Sequence, residues 1–458
     1  MNPSRKTLLL INPANPYRRG YLLRRESKQV PLGLGIIAAF TPKDWRIIIA
    51  DENFKTFRYR DADLVGITAV TASVNRGYEI ATQYRQRGVP VVMGGIHASM
   101  CPDETLQYVD SVVIGEAESI WPQVIADAEA GCLKQIYHGA LLHLEKQKIP
   151  RHDLYHPLYV WRSIQTSRGC PMDCDFCSVT SFNGGKFRFR PVEEIIEELR
   201  AYHGDGRNIF FVDDNIGGIT KDHQERAKEL FRAIIRSGMK FNWFSQTSLD
   251  IADDDEVLRL ASSSGCKVLL IGFEAERSEA LHSGNKKINL KKGSENYRHI
   301  IRRIQKQGII VLGTFIFAME ADHPEDIIRR ARFISNLNVD IVQTSILTPY
   351  PGTKLRKRME ESGLLACHNY PFDWQYYNWE DIVIRHPHIS SPELARLMEK
   401  SWKMIYHPLR RHIKYLKTLS ATHDPMLAYW AWRGNWHYRN IVFEKPIHYC
   451  DKDREVTI

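Results

Sequence analysis

The pattern that most restricts how this chain can fold is the alternation of short, continuous apolar runs with amphipathic stretches. TLLLINP, PLGLGIIAAF, WRIIIADENF, DLVGITAV, VPVVMGG and SVVIGE follow one another through the first part of the sequence. Runs that are apolar throughout belong to strands buried on both faces, as in a parallel sheet covered by helices. A doubly wound α/β domain is therefore expected over residues 1–132. In such a sheet the loops at the carboxyl ends of the strands form the ligand crevice. Here they are residues 12–17, 68–75, 94–102 and 115–119, rich in glycine, serine, threonine or asparagine. That composition suits a large polar ligand, and equally the tight turns that any such domain needs.

Residues 133–161 lose the periodicity, carry His, Pro and Lys, and read as a linker. A second series follows over residues 162–355, with strands at SIQTSRG, NIFFVDD, FNWFSQT, KVLLIGFEA, IIVLGTFIFA and VDIVQTSILTPY, each followed by a helical stretch up to the last. Six such units give a parallel, barrel-like sheet. Pro191 sits where a helix should start, a position at which a missing N–H is harmless. No strand series follows Pro351, and residues 356–458 have the spacing of a mostly helical cap.

At 458 residues, 43% hydrophobic and 26% charged, the chain is long enough for more than one core and lies far from the composition of a disordered protein. Its first apolar run is too short for a signal peptide, and no stretch is long enough to span a bilayer, so a cytoplasmic protein is expected. The formal charge of +9 is compatible with anionic substrates or an anionic membrane surface. It collects beyond Lys400, where Lys403, Arg410, Arg411, Lys414, Lys417, Arg433 and Arg439 alternate with Tyr406, Tyr415, Trp430, Trp432 and Trp436. Two readings remain open there, peripheral membrane contact and a packed cap with a solvated basic face. Nucleic acid is not expected, because no recognised binding module accompanies the charge.

Eight cysteines in so long a chain do not suggest a disulfide scaffold. Cys101, Cys132, Cys266, Cys367 and Cys450 are scattered singly and are expected to be structural thiols. The other three form the string Arg168-Gly169-Cys170-Pro171-Met172-Asp173-Cys174-Asp175-Phe176-Cys177, just after the first strand of the second series. Three thiolates suit iron, whereas a structural zinc or an ordinary ferredoxin cluster wants four ligands. A four-iron cluster held by three cysteines keeps one iron open to chelate a substrate. A zinc completed by a distant histidine is the competing reading.

This motif after a first barrel strand resembles the radical S-adenosylmethionine superfamily, over about residues 163–353. The resemblance implies a partial (β/α)6, TIM-like barrel, a [4Fe-4S] cluster on Cys170, Cys174 and Cys177, and S-adenosyl-L-methionine cleaved to a 5′-deoxyadenosyl radical. It also implies S-adenosylmethionine contacts from Phe176, Asp213, Asp214, Gln246, Glu274 and Thr314, with Ser248 a weaker candidate. Asp213-Asp214-Asn215 stands where the family often has Gly-Gly-Glu, and the two aspartates could equally cap a helix. Glu274 is expected at the ribose hydroxyls or, alternatively, at a helix cap. Pro349-Tyr350-Pro351-Gly352-Thr353 resembles the family's closing turn near the adenine.

The first domain placed before this barrel resembles the cobalamin-binding class of the same enzymes and implies a Rossmann-like fold. The residues that carry the resemblance are Pro31-Leu32-Gly33, Gly66-Ile67-Thr68, Gly94-Gly95-Ile96-His97 and Gly115-Glu116-Ala117-Glu118. By the resemblance, Thr68, Ser73, Gly94, Gly95, His97, Gly115 and Glu116 are the cobalamin-binding candidates, although an Asp-x-His-x-x-Gly sequence is absent. For His97 a loop-bracing role competes with cobalt ligation. The implied activity is C-methylation of a lipid, isoprenoid, tetrapyrrole or other natural product, as in hopanoid and bacteriochlorophyll methylases, with flavodoxin or ferredoxin as electron donor. The alternatives are a cyclase, coupling enzyme or reductase built from the same modules and, more distantly, a cobalamin or redox sensor.

Overall fold

The computed structural model describes residues 5–450. Two six-stranded sheets, parallel throughout, account for both apolar series. The first contains β1 (Thr7–Asn12), β2 (Arg46–Asp51), β3 (Leu64–Thr68), β4 (Val91–Gly94), β5 (Ser111–Gly115) and β6 (Ile136–Gly139), in the order β2-β1-β3-β4-β5-β6. The order reverses between β1 and β3, so the loops following these two strands border the crevice that a reversal opens. One face of the sheet buries Leu8, Leu10, Leu64 and Val92 against Leu34, Trp121 and Val124 of two helices. The other buries Leu9, Ile11, Val65 and Ile67 in a cluster that runs on into Ala275, Leu281, Met319 and Trp374 of the later chain. The two domains thus share a core.

Three sequence expectations need adjustment here. PLGLGIIAAF is a helix, Leu32–Phe40, with one buried face. The stretch expected as a linker supplies β6, whose four residues, Ile-Tyr-His-Gly, lack the continuous apolar run by which inner strands are recognised. SIQTSRG divides into β7 (Trp161–Ile164) and β8 (Ser167–Arg168), and β8 pairs antiparallel with β9 (Arg188–Phe189). The β8–β9 hairpin brackets the three cysteines.

The second sheet contains β7, β10 (Asn208–Phe211), β11 (Trp243–Thr247), β12 (Cys266–Glu274), β13 (Ile310–Phe317) and β14 (Ile341–Ile346), in sequential order. Helices such as Val192–Tyr202, Lys221–Arg236, Asp255–Ser263, Tyr297–Gln305 and Pro324–Asn336 alternate with the strands. The sheet does not close, which leaves β14 as an edge that would expose unpaired backbone groups. The helix Pro425–Val442 covers it: Asn435 accepts from the Val342 N–H and donates to the Asp340 carbonyl. The same helix places Leu427 and Ala431 against Val268, Ile310 and Ile341. The carboxy-terminal region is helical as expected, through Ser391–Ile405, Pro408–Thr422 and Pro425–Val442.

Residues 365–384 form an irregular strap that lies on the first domain. It is held by bonds from Asn15 Nδ2 to the Gln375 carbonyl and from Asn75 Nδ2 to the Phe372 carbonyl, and by a buried Arg18–Asp381 ion pair at 3.1 Å. Cys367 and Cys450, expected as separate thiols, are joined in a disulfide across 83 residues. No local spacing in the sequence signals such a long-range pair.

Candidate active site at the facing strand ends

The chain leaves β8 through Gly169, whose φ is +89° and whose missing Cβ would lie 2.2 Å from the Lys186 carbonyl oxygen. Only glycine can enter the cysteine loop here. The loop is then fastened on all sides. Asp173 pairs with Lys354, Asp175 pairs with Arg358 at 2.9 Å, and Ser181 donates to the Gly352 carbonyl at 2.7 Å, within the turn 349–353. The aspartates between the cysteines therefore brace the loop from outside, leaving Cys170, Cys174 and Cys177 as free, half-buried thiols. Burial pushes all three thiols up, Cys177 to about 12. Such sulfurs become thiolates when a metal takes the proton's place. Three free thiols on one rigid loop fit an iron–sulfur cluster with an open position.

Behind them, Asp213 is wholly buried and accepts three bonds: from the Thr166 N–H at 2.7 Å, the Thr166 hydroxyl at 2.6 Å and the Ser167 N–H at 2.7 Å. Asp214 accepts from the Gly169 N–H at 3.1 Å and Asn183 Nδ2 at 3.3 Å. Both aspartates fix the approach to the cysteines. Neither the helix cap nor a free amine-binding carboxylate describes Asp213. Glu274 ends β12 at φ +62° beside a shift in strand register, and its Oε1 lies 2.6 Å from Lys286 Nζ. The same ammonium lies 5.8 Å from the centre of the Phe176 ring. Burial opposes the charge on Lys286, but Glu274 and the cysteines keep it above its ordinary pKa. Lys286, unnoticed in the sequence, is a half-buried cation whose charge acts on Cys174 and Cys177, whereas Lys354 and Arg358 pair with the loop's aspartates.

Gln246 and Thr314 remain partly exposed, while their strand neighbours Ser245, Thr247, Gly313 and Phe315 are buried. This alternation puts them on the concave side of the barrel. Ser248 is held by Asn215 Nδ2 at 3.0 Å. The helix Pro425–Val442 fills the inner face lower down, so only the carboxyl ends of the strands stay open.

On the first sheet the candidates divide. Gly95 has φ +90° and packs so closely that a Cβ would meet Thr68 Oγ1 at 2.5 Å. Gly115, at φ +80°, accepts no side chain because the Gly139 carbonyl lies in the way. Ser73 donates to the Val70 carbonyl at 3.2 Å. His97 is fully buried, with Nδ1 3.3 Å from Thr71 Oγ1 and Nε2 3.3 Å from Glu104, beneath the Trp374 ring. Burial would raise Glu104, but hydrogen bonds from His97, Trp374 and Tyr78 hold its carboxyl below the usual range. The loop-bracing role of His97 is the one its surroundings support. The residue exposed at the β3 loop is instead Val70, at 61%.

Glu116 also departs from expectation. It is buried and lies 3.0 Å from Arg168, it pairs with Arg188, and Glu118 pairs with Arg168. Arg168 is two residues before Cys170. The carboxyl end of β5 in one domain is therefore latched directly to the cysteine loop of the other. Signals that could have revealed this were present: two glutamates at a strand end and two arginines around a cysteine motif must find partners if buried.

A second missed group lies between the two open edges. The Trp379 carbonyl accepts from the Ile346 N–H at the end of β14, and Asp381 holds Arg18 of the β1 loop. Glu380, between them, is buried, and its carboxyl has no side-chain partner among the described residues. Burial pushes it up to about 8, with Arg18 only partly opposing this.

Fold and site together define a two-module enzyme in which a three-cysteine cluster loop faces a second ligand-binding sheet. The Radical SAM superfamily model matches residues 164–334, and the B12 binding domain model matches residues 18–125. The chain is 30% identical over 384 residues to bacteriochlorophyllide d C-8(2)-methyltransferase of Chlorobaculum tepidum, covering 79% of this chain and 82% of that one. It is 26% identical to hopanoid C-2 methylase of Rhodopseudomonas palustris over 375 residues, 78% of this chain and 70% of the other. The fold is similar to that of TsrM, a radical S-adenosylmethionine methyltransferase from Kitasatospora setae, with a TM-score of 0.69, 17% identity, and coverage of 96% of this chain and 99% of that one. The chain belongs to the cobalamin-dependent radical S-adenosylmethionine methyltransferase family.

Proposed function

We propose that this enzyme methylates an unactivated carbon of a largely apolar, ring-bearing small molecule, within the lipid, isoprenoid or tetrapyrrole classes to which its relatives' named substrates belong. The observation that carries the reading is the Glu116–Arg168–Glu118 latch, which holds the ligand edge of the first sheet against the cluster loop of the second. A reaction needing two cofactors at one substrate carbon requires such fixed geometry. When bound, the cluster with S-adenosylmethionine supplies a hydrogen-abstracting radical and cobalamin supplies the methyl group; the protein's part is positioning and exclusion of water.

Cys170, Cys174 and Cys177 would hold the cluster, and Asp213 and Asp214 keep their loop in place. Phe176 and the Lys286–Glu274 pair would border S-adenosylmethionine, with Gln246 and Thr314 facing it from the concave side. Glu274 can offer its second oxygen to ribose hydroxyls while Lys286 holds the first. On the other sheet Gly94, Gly95, Thr68 and Gly115 would let backbone approach the corrin, and Val70 would face it without offering a ligand. His97 and Glu116 would act beneath this surface, as brace and latch. Trp379, 39% exposed beside the end of β14 and in ring contact with Tyr350, would border the substrate's entry between the two edges, with Glu380 buried behind it. A single-electron donor such as flavodoxin or ferredoxin completes the reading, and a membrane-dissolved substrate would give the chain reason to approach a lipid surface.

The test is anaerobic reconstitution with iron, sulfide, cobalamin and S-adenosylmethionine carrying a labelled methyl group, using bacteriochlorophyllide d and an extract of hydrocarbon-soluble metabolites as substrates. Label in a product, with 5′-deoxyadenosine and S-adenosylhomocysteine formed alongside, is the expected result. Deoxyadenosine with an unlabelled but altered product would move the enzyme to cyclisation, coupling or reduction.

A further inference from the structure

The helix Pro408–Thr422 is amphipathic the wrong way round. Its inward face is polar: Lys414 Nζ donates to the Val339 carbonyl at 2.5 Å, and Thr418 donates to Asp340 at 2.6 Å. Its outward face presents Leu409, Ile413 and Leu416, exposed by 63, 42 and 63%. These positions are four and three residues apart and so lie on one stripe. A helix that only covered a core would turn that stripe inward. The stripe continues through His412 to Trp432, and from Trp432 to Tyr429 on the following helix, where Tyr429 and Met426 are exposed as well.

The charge around the stripe has one sign. Residues 408–443 contain Arg410, Arg411, Lys414, Lys417, Arg433 and Arg439 against a single carboxylate, Asp424. Among the described residues only Arg433 of these six is ion-paired, to Glu26. Arg410 and Lys417 hold neutral oxygens of Ser335 and Asn338, and Arg411 lies 4.3 Å from the ring centres of both Trp432 and Trp436. Aliphatic residues flanked by uncompensated cations and amphipathic aromatics fit the acyl–headgroup boundary of an anionic bilayer. A second copy of the same face would bring like charges together.

We propose that the face formed by Leu409, Ile413 and Leu416, with Arg410, Arg411 and Lys417 at its rim, docks the enzyme on an anionic lipid surface. No helix among the described residues is long and apolar enough to cross a membrane, so the contact is peripheral. The proposal stands on this surface alone, and its test does not depend on methyl transfer.

Co-sedimentation of the full chain with vesicles decides it. Partition onto vesicles of phosphatidylcholine with one-third phosphatidylglycerol is expected to exceed that onto phosphatidylcholine alone by about tenfold or more, and to fall as salt is raised. The Leu409→Glu/Leu416→Glu variant should lose about tenfold or more of this binding while its circular dichroism melt is unchanged. Should that variant melt early, Arg410→Gln/Lys417→Gln provides the second reading, with about fivefold lost per cation. Equal binding to both vesicle types, or unaltered binding by the variants, overturns the proposal. So does a dimer that the Leu409→Glu/Leu416→Glu change converts to monomer, or retention on an acidic protein with no retention on vesicles.

Discussion

Two six-stranded parallel sheets meet at their carboxyl edges, and they use the residues at those edges in opposite ways. At the barrel edge the reactive side chains are left free: Cys170, Cys174 and Cys177 keep unbonded thiols because Asp173, Asp175 and Ser181 make the supporting contacts. At the edge of the first sheet the reactive side chains are consumed. His97 is locked by Thr71 and Glu104, Glu116 is tied to two arginines, and the residue most exposed in the β3 loop is the apolar Val70. Metal ligation needs particular atoms, while a large cofactor held by shape and backbone needs space. The first requirement marks the sequence with side chains that can bind metal, the second with glycines that let backbone come close.

The comparison breaks first at the cysteines. Cys170→Ala, Cys174→Ala or Cys177→Ala should each remove the cluster and take deoxyadenosine formation to background, measured by iron content and product chromatography. Cys101→Ala and Cys132→Ala should change neither. A variant lacking one of the three that still formed deoxyadenosine would mean that the loop is not the barrel's metal site.

The latch between the edges comes next. Arg168→Met leaves Glu118 buried without its cation and weakens the hold on Glu116, so unfolding free energy should fall by about 3–5 kcal/mol. Adding Glu118→Gln should recover part of the loss, because the uncompensated charge is the larger part of the penalty. Urea unfolding of both variants measures this. A loss under about 1 kcal/mol would show the two edges to be independent.

A smaller effect is expected from Glu380, in the seam. Its folded pKa, pushed up to about 8 by burial, lies above the ordinary carboxylate value. The folded state therefore holds its proton more tightly than the unfolded chain, and this stabilisation is complete below about pH 4.5 and lost as pH rises through 8. The wild type should lose on the order of 2 kcal/mol between pH 5 and pH 7 relative to Glu380→Gln, which keeps a neutral donor. Parallel pH dependence in denaturant titrations of the two proteins would show that Glu380 is paired or hydrated.

Much of the fold was legible because β10, β12 and β13 are largely apolar runs and helical stretches separate the strands, and Pro191, just before the helix Val192–Tyr202, marks a helix start correctly. The failures have physical causes. β6 is an edge strand of four mixed residues, and the disulfide joins cysteines with no local spacing. At the site, the cysteine triplet announced itself by a missing fourth ligand, and the glycines by their need for positive φ or close approach. The loop-holding roles of Asp213 and Glu116 were not legible, and His97 stayed open between brace and ligand, because a buried polar residue at a strand end looks the same in sequence whether it serves a ligand or a neighbouring loop. Lys286 and Glu380 were invisible, since a lysine and a glutamate in polar stretches carry no mark of burial.

The finest test of the contrast concerns what the first sheet shows to its ligand. If the crevice is lined by shape, cobalt has no nitrogen ligand from the β3 or β4 loop, and one can be introduced. Val70→His places an imidazole at the exposed position between Thr68 and Thr71, beside the reversal of strand order. Bound cob(II)alamin should then show nitrogen hyperfine splitting by electron paramagnetic resonance that changes when histidine is labelled with nitrogen-15, a change the wild type should not show. His97→Ala, by contrast, should leave that spectrum as it is and lower stability by about 1–2 kcal/mol, the worth of a buried hydrogen-bonded brace. A wild-type spectrum with nitrogen splitting that His97→Ala removes would reverse the assignment. The locked imidazole would then have to leave Thr71 and Glu104 when cobalamin binds, and the two edges would be alike after all.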